Sequence, residues 1–217
     1  MNDPFRITEP TCISFSGGRT SAYMLWRVLQ ANDGLPDEAV VCFANTGKEE
    51  EATLRFVQRC SEEWNVPITW LEYRNDGSKF VVVDFQTAAR NGEPFEALIR
   101  KKNYLPNPVA RFCTQELKVL TIDRYMKSVG VLEYQMMVGI RKDEERRVAK
   151  LSSDRYAPLV ASLVTQLDVQ QFWRNQAFDL ELKFANGVTA LGNCDLCYLK
   201  GGNQISSYPR RHTNWSR

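Results

Sequence analysis

The chain is expected to fold as a doubly wound α/β domain built on a mainly parallel sheet. Two observations predict this. Short apolar runs of strand length alternate with amphipathic segments of helix length between residues 11 and 73, and a glycine pair stands where the first strand gives way to the first helix. Strands that alternate with helices run parallel, because the right-handed return across the sheet needs a helix, and both sheet faces are covered as a result.

Thr11-Cys12-Ile13-Ser14-Phe15 reads as the first strand, and Ser21 to Leu29 has helical periodicity. Asp33-Gly34-Leu35-Pro36 supplies a turn, and Ala39-Val40-Val41-Cys42-Phe43-Ala44 is an apolar run suited to a buried parallel strand. A helix from about Glu49 to Trp64 presents Leu54, Val57 and Trp64 near one face, and Ile68 to Tyr73 alternates as a third strand. Phe80 to Phe85 is a further strand candidate, and Glu93-Pro94-Phe95 opens a helix to Lys102. Pro106-Asn107-Pro108 breaks the chain before a helix over Thr114–Lys127 and a late core strand over Tyr134–Ile140. Thr165 and Asp168 form an N-capping pattern ahead of Val169, Phe172 and Trp173, and Asn186-Gly187 and Gly192-Asn193 mark turns around Cys194.

With 217 residues, 43% of them hydrophobic, residues 1–217 are expected to form a single domain with a core of ordinary size. The 28 basic and 26 acidic side chains leave a net charge of +2, which excludes bulk electrostatics as a guide to a nucleic-acid or membrane partner. Arg210, Arg211, His212, Trp215 and Arg217 make a small basic and aromatic tail of the kind that touches polyanions, although a solvated chain end has the same composition. Residues 1–10 carry no export-signal pattern and no apolar run is long enough to span a bilayer, so no membrane partner and a cytoplasmic, reducing compartment are expected. Six cysteines in that setting are core thiols, reactive thiols or metal ligands rather than disulfides. Cys12 and Cys42 fall in core strands and Cys60 in a helix, where cysteine behaves as a small hydrophobe.

Ser16-Gly17-Gly18-Arg19-Thr20-Ser21 is the first candidate site. A glycine pair between strand and helix lets backbone amides approach an anion, and the helix N-terminus adds a favourable dipole for phosphate. A ligand-free strand-to-helix turn is the alternative. Asn45-Thr46-Gly47 leaves the second strand at the carboxyl edge, where α/β sheets bind ligands, and Gly139-Ile140-Arg141 leaves the late strand with Arg141 placed to clamp phosphate or sulfate.

These three segments, in this order across residues 10–200, resemble the PP-loop ATP pyrophosphatases, and especially the phosphoadenylylsulfate reductase branch. The family pattern is Ser-Gly-Gly-x-Asp-Ser, with Thr20 here at the aspartate position, then Asp-Thr-Gly and Gly-x-Arg-x-x-Glu-Ser. The resemblance implies a Rossmann-like fold of the adenine nucleotide alpha hydrolase-like (HUP) type with a C-terminal cysteine-containing extension. It also implies ATP or an adenylylsulfate-type nucleotide at Ser16, Gly17, Gly18, Arg19, Thr20, Ser21, Asn45, Thr46 and Gly47, with Mg2+ offsetting the phosphate charge.

Cys194-Asp195-Leu196-Cys197 has a spacing that brings two thiolates onto one metal ion or cluster, and Cys113 is the third candidate ligand. Cys113 follows Arg111 at an expected helix start, a setting that favours a thiolate. The layout resembles adenylylsulfate reductases that hold a four-iron cluster, and, with three thiolates, the iron-sulfur tRNA thiolases of the wider group. A [4Fe-4S] cluster, Zn2+, a redox-active dithiol and unliganded core thiols all remain open on spacing alone.

The expected reaction is adenylation of an acceptor by ATP followed by sulfur transfer at the cysteine-bound cluster, with Cys113, Lys118 and Arg141 as catalytic residues. Lys118 and Arg141 would clamp phosphate or sulfate, and Arg111, Arg146 and Arg147 would guide a nucleic acid, a small molecule being the other acceptor class. Reduction of adenylylsulfate by a partner thiol or electron-donor protein is a second possibility, and a non-catalytic nucleotide-binding module with structural metal a third. A homo-oligomer is compatible with each. The sulfonucleotide reductases use a cysteine near their C-terminus, and no cysteine follows Cys197 in this chain.

Overall fold

The computed structural model describes residues 3–185 together with 188, 189, 191, 192, 194 and 197. Its first five elements follow the expected rhythm: β1 (Thr11–Ser14), α1 (Arg19–Asn32), β2 (Ala39–Asn45), α2 (Glu51–Glu63) and β3 (Ile68–Tyr73). α1 starts two residues earlier than its apolar periodicity, because Gly18 in extended conformation serves as its N-cap and Ala22 donates to the Gly18 carbonyl at 3.0 Å.

Six strands form one sheet in the order β4-β3-β2-β1-β5-β6, where β4 is Phe80–Val83, β5 is Gln135–Val138 and β6 is Arg155–Tyr156. β1 is central and pairs in parallel with β2, Thr11 opposite Ala39, and with β5, Thr11 opposite Gln135. β2 with β3 and β5 with β6 are also parallel, whereas β4 runs antiparallel on β3 as an edge strand. The chain winds from β1 outward through β2 and β3, then crosses back to β5 on the other side. The reversal between β1 and β5 is the topological switch point at which open α/β sheets leave a crevice at the carboxyl ends of their strands.

Beyond the sheet, α3 (Glu93–Lys102) has Pro94 in its first turn as expected. The helix expected over Thr114–Lys127 is three pieces: α4 (Phe112–Thr114), a π-helical turn Gln115–Val119 and α5 (Leu120–Ser128). The Thr121 hydroxyl donates to the Glu116 carbonyl at 2.8 Å, a side-chain bond five residues back that matches the wider turn. The charged segment after Arg141 folds as a 3-10 helix, Lys142–Lys150, and is followed by α6 (Pro158–Ala161) and α7 (Gln166–Arg174). The Thr165–Asp168 capping pattern forms at the start of α7, with the Asp168 carboxylate accepting from the Thr165 amide at 2.7 Å and hydroxyl at 2.6 Å. A short hairpin, β7 (Phe184–Ala185) and β8 (Val188–Thr189), ends the described chain elements.

α7 is held to the layer of α1 and α2 by rings: Phe172 meets Trp26 at 4.7 Å and Tyr23 at 4.9 Å between centroids, and Trp173 meets Phe56 at 5.0 Å and Phe178 at 5.6 Å. Each such pair adds about 0.5–1.5 kcal/mol beyond area burial. Cys12 and Cys42 lie in the core under α5, and Cys60 is buried in α2, as expected. Among the described residues no helix is long and apolar enough to cross a membrane. The turns at Asn186-Gly187 and Asn193, Asp195 and Leu196, and the tail with Arg210, Arg211, His212, Trp215 and Arg217, lie outside the described residues.

Gly17 and Gly18 differ physically. Gly17 has φ +74°, and a Cβ there would lie 2.7 Å from Thr53 Cγ2, whereas a Cβ on Gly18 would meet only Ser16 Oγ at 3.8 Å. Gly17→Ala is expected to cost about 1–3 kcal/mol of stability in urea unfolding, from overpacking and the left-handed backbone, and Gly18→Ala less than about 0.5 kcal/mol. Equal losses at the two positions would contradict the loop geometry.

Candidate functional site

Three turns meet at the carboxyl edge of β2, β1 and β5. In the first, Ser21 is nearly fully buried and its hydroxyl organises the loop: it donates to the Gly18 carbonyl at 2.9 Å and accepts from the Ser16 amide at 3.1 Å and the Ser16 hydroxyl at 3.0 Å. Both serine hydroxyls are therefore engaged within the loop, and contact with an anion falls to the backbone amides at the start of α1.

The turn after β5 closes onto this loop. A Cβ on Gly139 would lie 3.1 Å from the Cα and 3.2 Å from the amide nitrogen of Ser21, so any other residue there would need the two backbones to part by a few tenths of an ångström. Two residues on, Arg141 Nη1 donates to the Thr20 hydroxyl at 3.0 Å. The same guanidinium bonds Asp143 at 2.9 Å and lies 3.4 Å from Glu144, and it is only 17% exposed. The Arg141 guanidinium in turn holds the Asp143 carboxyl below its ordinary range. A partly desolvated arginine beside a helix N-terminus is chemically suited to a phosphate or sulfate.

The turn after β2 is oriented differently. Asn45 is fully buried, and its amide donates to Glu72 at 2.7 Å and to the Ala89 carbonyl at 2.9 Å, while its oxygen accepts from the Gly47 amide at 3.0 Å. Burial raises the Glu72 carboxyl above its usual range, against the lowering effect of hydrogen bonds from the Ala89 amide and Asn45. Thr46 gives its amide and hydroxyl to the Glu49 carboxylate at 3.0 and 2.9 Å. Asn45 and Thr46 thus shape this turn through internal bonds.

Glu49, whose side chain is 4% exposed, links the turn to the cysteines. Its Oε1 lies 3.7 Å from Lys118 Nζ and accepts from the Cys194 thiol at 3.7 Å, and the Thr46 hydroxyl is 3.2 Å from Cys194 Sγ. Burial pushes the Cys194 thiol up to about 11, with the Glu49 charge adding to the rise and Lys118 opposing it. At Lys118 burial acts downwards, but the negative charges of Cys194, Glu49 and Cys113 outweigh it and raise the ammonium above its ordinary range.

Cys113 packs beside Tyr73, Leu98 and Leu117; Cys197 follows Cys194 with its amide donating to the Cys194 carbonyl at 3.3 Å. Among the described residues no three His, Cys, Asp or Glu side chains lie close enough to share a metal ion. Cys113 and Cys194 both stand near Lys118.

Arg19 belongs to the loop by position, yet its guanidinium turns to the C-terminal segment, where it forms a two-pronged pair with Asp179 at 2.7 and 2.8 Å and bonds the Leu180 carbonyl at 2.5 Å. Arg111 and Arg146 are exposed, and Arg147 pairs with Glu144 at 2.6 Å. Glu49, Glu72, Asp143 and Asp179 were not foreseen. Glu49 had a local signal, a carboxylate three residues after a strand-exit threonine; Glu72 and Asp179 act on partners 27 and 160 residues away, where sequence spacing is silent. A separate concavity of about 360 Å³ lies at the C-terminal ends of α1 and α2 between Trp26, Asp33 and Trp64; it has no basic lining residue and suits no phosphate.

The thiolate is the reactive form of cysteine, so alkylation of Cys194 by iodoacetamide, followed peptide by peptide, is expected to rise with pH until about 11. Glu49→Gln removes a repelling charge and shifts the profile to lower pH; Lys118→Met removes an attracting one and shifts it higher. Shifts of the opposite sign would contradict the arrangement.

No protein-family model matches the chain. It is 32% identical over 202 residues to a nin region protein, ORF290, of Escherichia phage lambda, in a match that covers 89% of this chain and 67% of that protein. The chain belongs to the family of this phage lambda nin region protein.

Proposed function

We propose that the chain is an adenine-nucleotide-binding enzyme of the PP-loop type, with the adenine nucleotide alpha hydrolase-like (HUP) variant of the α/β fold. One observation carries this reading: Arg141, leaving β5, reaches Thr20 in the first turn of α1. The guanidinium and the loop amides therefore face the same space at the switch point, one cation and one set of oriented dipoles for one phosphate. The reading places the α-phosphate of ATP between residues 17–21 and Arg141, with Mg2+ arriving on the nucleotide. An acceptor oxygen attacks that phosphorus, the bond to the β-phosphate oxygen breaks, and pyrophosphate leaves. The adenylated acceptor then stands before the edge on which Lys118, Glu49 and Cys194 lie; sulfide-level sulfur from an external sulfide donor attacks the activated carbon, the bond from that carbon to the adenylate oxygen breaks, and AMP leaves.

A cluster or zinc on Cys113, Cys194 and Cys197 would need these thiols to close up from the arrangement observed, and no step is routed through a metal. Metal analysis of anaerobically purified protein reads this directly, brown iron-sulfur absorption against colourless zinc or no metal. Adenylylsulfate reduction is the second reading, favoured by a thiol that adjoins the proposed nucleotide edge.

Calorimetry with ATP and with adenylylsulfate is expected to show binding to the wild-type chain and a loss of about ten- to a hundredfold in Arg141→Ala, the scale of one charge-assisted hydrogen bond. Gly18→Ala, which leaves the fold intact, is expected to weaken binding as well. Pyrophosphate released from ATP in the presence of an RNA or small-molecule acceptor supports acceptor activation, sulfite from adenylylsulfate supports reduction, and neither product with intact binding supports a binding module. Absence of binding by any adenylylated compound sinks all three.

A further inference from the structure

Arg19 occupies the variable position of the phosphate loop, yet the bonds of its guanidinium described above lead away from the loop. They go to both Asp179 oxygens at 2.7 and 2.8 Å, to the carbonyls of Leu180 at 2.5 Å and Leu182 at 3.3 Å, and to the Thr189 hydroxyl at 3.5 Å. Its own carbonyl accepts from the Trp173 indole at 3.0 Å. The side chain is 13% exposed, so the ion pair is well shielded on the arginine side. From Thr189 the segment turns through Gly192, whose amide donates to the Thr189 carbonyl at 3.1 Å, and arrives at Cys194 beside Thr46 and Glu49. Among the described residues, Asp179, Leu180, Leu182 and Thr189 thus meet the first turn at Arg19, and Cys194 meets the second turn at Thr46 and Glu49.

We infer that Arg19 is a positioning residue: its pairing with Asp179, and its bonds to Leu180, Leu182 and Thr189, fasten these residues to the phosphate loop, so that the loop and the Cys194 thiol downstream of them are coupled. Short hairpins such as β7–β8 have marginal stability alone; among the described residues Phe178, Leu180, Leu182 and Leu191 pack on the core, and Asp179 on Arg19 adds the ion pair. A group that binds the loop therefore also restrains the segment, and release of the segment exposes the thiol. The restraint by the ion pair stands on its own; the response to nucleotide rests on the proposed function.

The test is peptide-resolved alkylation of the native chain at fixed pH, with the buried thiols of Cys12, Cys42 and Cys60 as internal reporters of the fold. Asp179→Asn is expected to speed Cys194 alkylation about ten- to a hundredfold, the effect of one lost charge-assisted bond on a local opening, with the three core thiols still protected. Unchanged Cys194 alkylation overturns the inference. If all thiols react together, Arg19→Lys, which keeps the charge and loses the two-pronged geometry, is read in the same way, and a second global exposure also overturns it. Saturating ATP is expected to slow Cys194 alkylation in the wild type and to lose that effect in Asp179→Asn. Equal protection in both proteins rejects the coupling while leaving nucleotide binding intact, whereas ATP that fails to bind the wild type rejects the nucleotide reading and leaves the ATP-free comparison to judge the ion pair.

Discussion

The backbone contact between Gly139 and Ser21 is the constraint from which the arrangement of the edge follows. β1 and β5 are parallel neighbours, so their exits lie side by side, and a side chain at 139 would force the β5 exit and the first turn of α1 apart by a few tenths of an ångström. With glycine there, Arg141 arrives within hydrogen-bond reach of Thr20, and Lys142 continues to α7 through its amide bond to the Val164 carbonyl at 2.7 Å. The reversal of winding lies where open α/β sheets leave a crevice, and this contact sets how closely the β5 exit approaches the first turn of α1.

The charges at the edge are arranged by role. Glu72 and Glu49 are buried carboxylates that accept from backbone and side-chain donors, and each pins a strand-exit turn: Glu72 through Asn45 and Ala89, Glu49 through Thr46. Buried carboxylates persist when such donors replace water. Arg19 and Arg141 leave the same edge in opposite directions, one towards the C-terminal segment and one towards the loop. Two acidic partners, Asp143 and Glu144, hold Arg141 in place beside the first turn of α1.

Much of the fold was legible in the sequence because it rests on local signals. The β1-loop-α1 unit, β2, α2 and β3 followed from apolar runs and glycine, and the Thr165–Asp168 cap formed as its spacing implied. The antiparallel course of β4 was not legible, since Phe80–Val83 has the same composition as a parallel strand and differs only in its partner. The π turn at Gln115–Val119 depends on the Thr121 hydroxyl, and helical periodicity does not register it. At the edge, the loop and Arg141 were readable by position, but the direction of Arg19 was not, because Asp179 lies 160 residues away. The cysteine spacing did not reveal that a carboxylate, Glu49, and a lysine, Lys118, stand beside Cys194.

The most direct measurement is a crystal structure of the chain with a non-hydrolysable ATP analogue. The account places the triphosphate over Gly17-Gly18, with backbone amides of residues 17–21 and the Arg141 guanidinium on one phosphate. A nucleotide found instead in the concavity between Trp26 and Trp64, or a phosphate loop left unchanged and bare at saturating analogue, would contradict it.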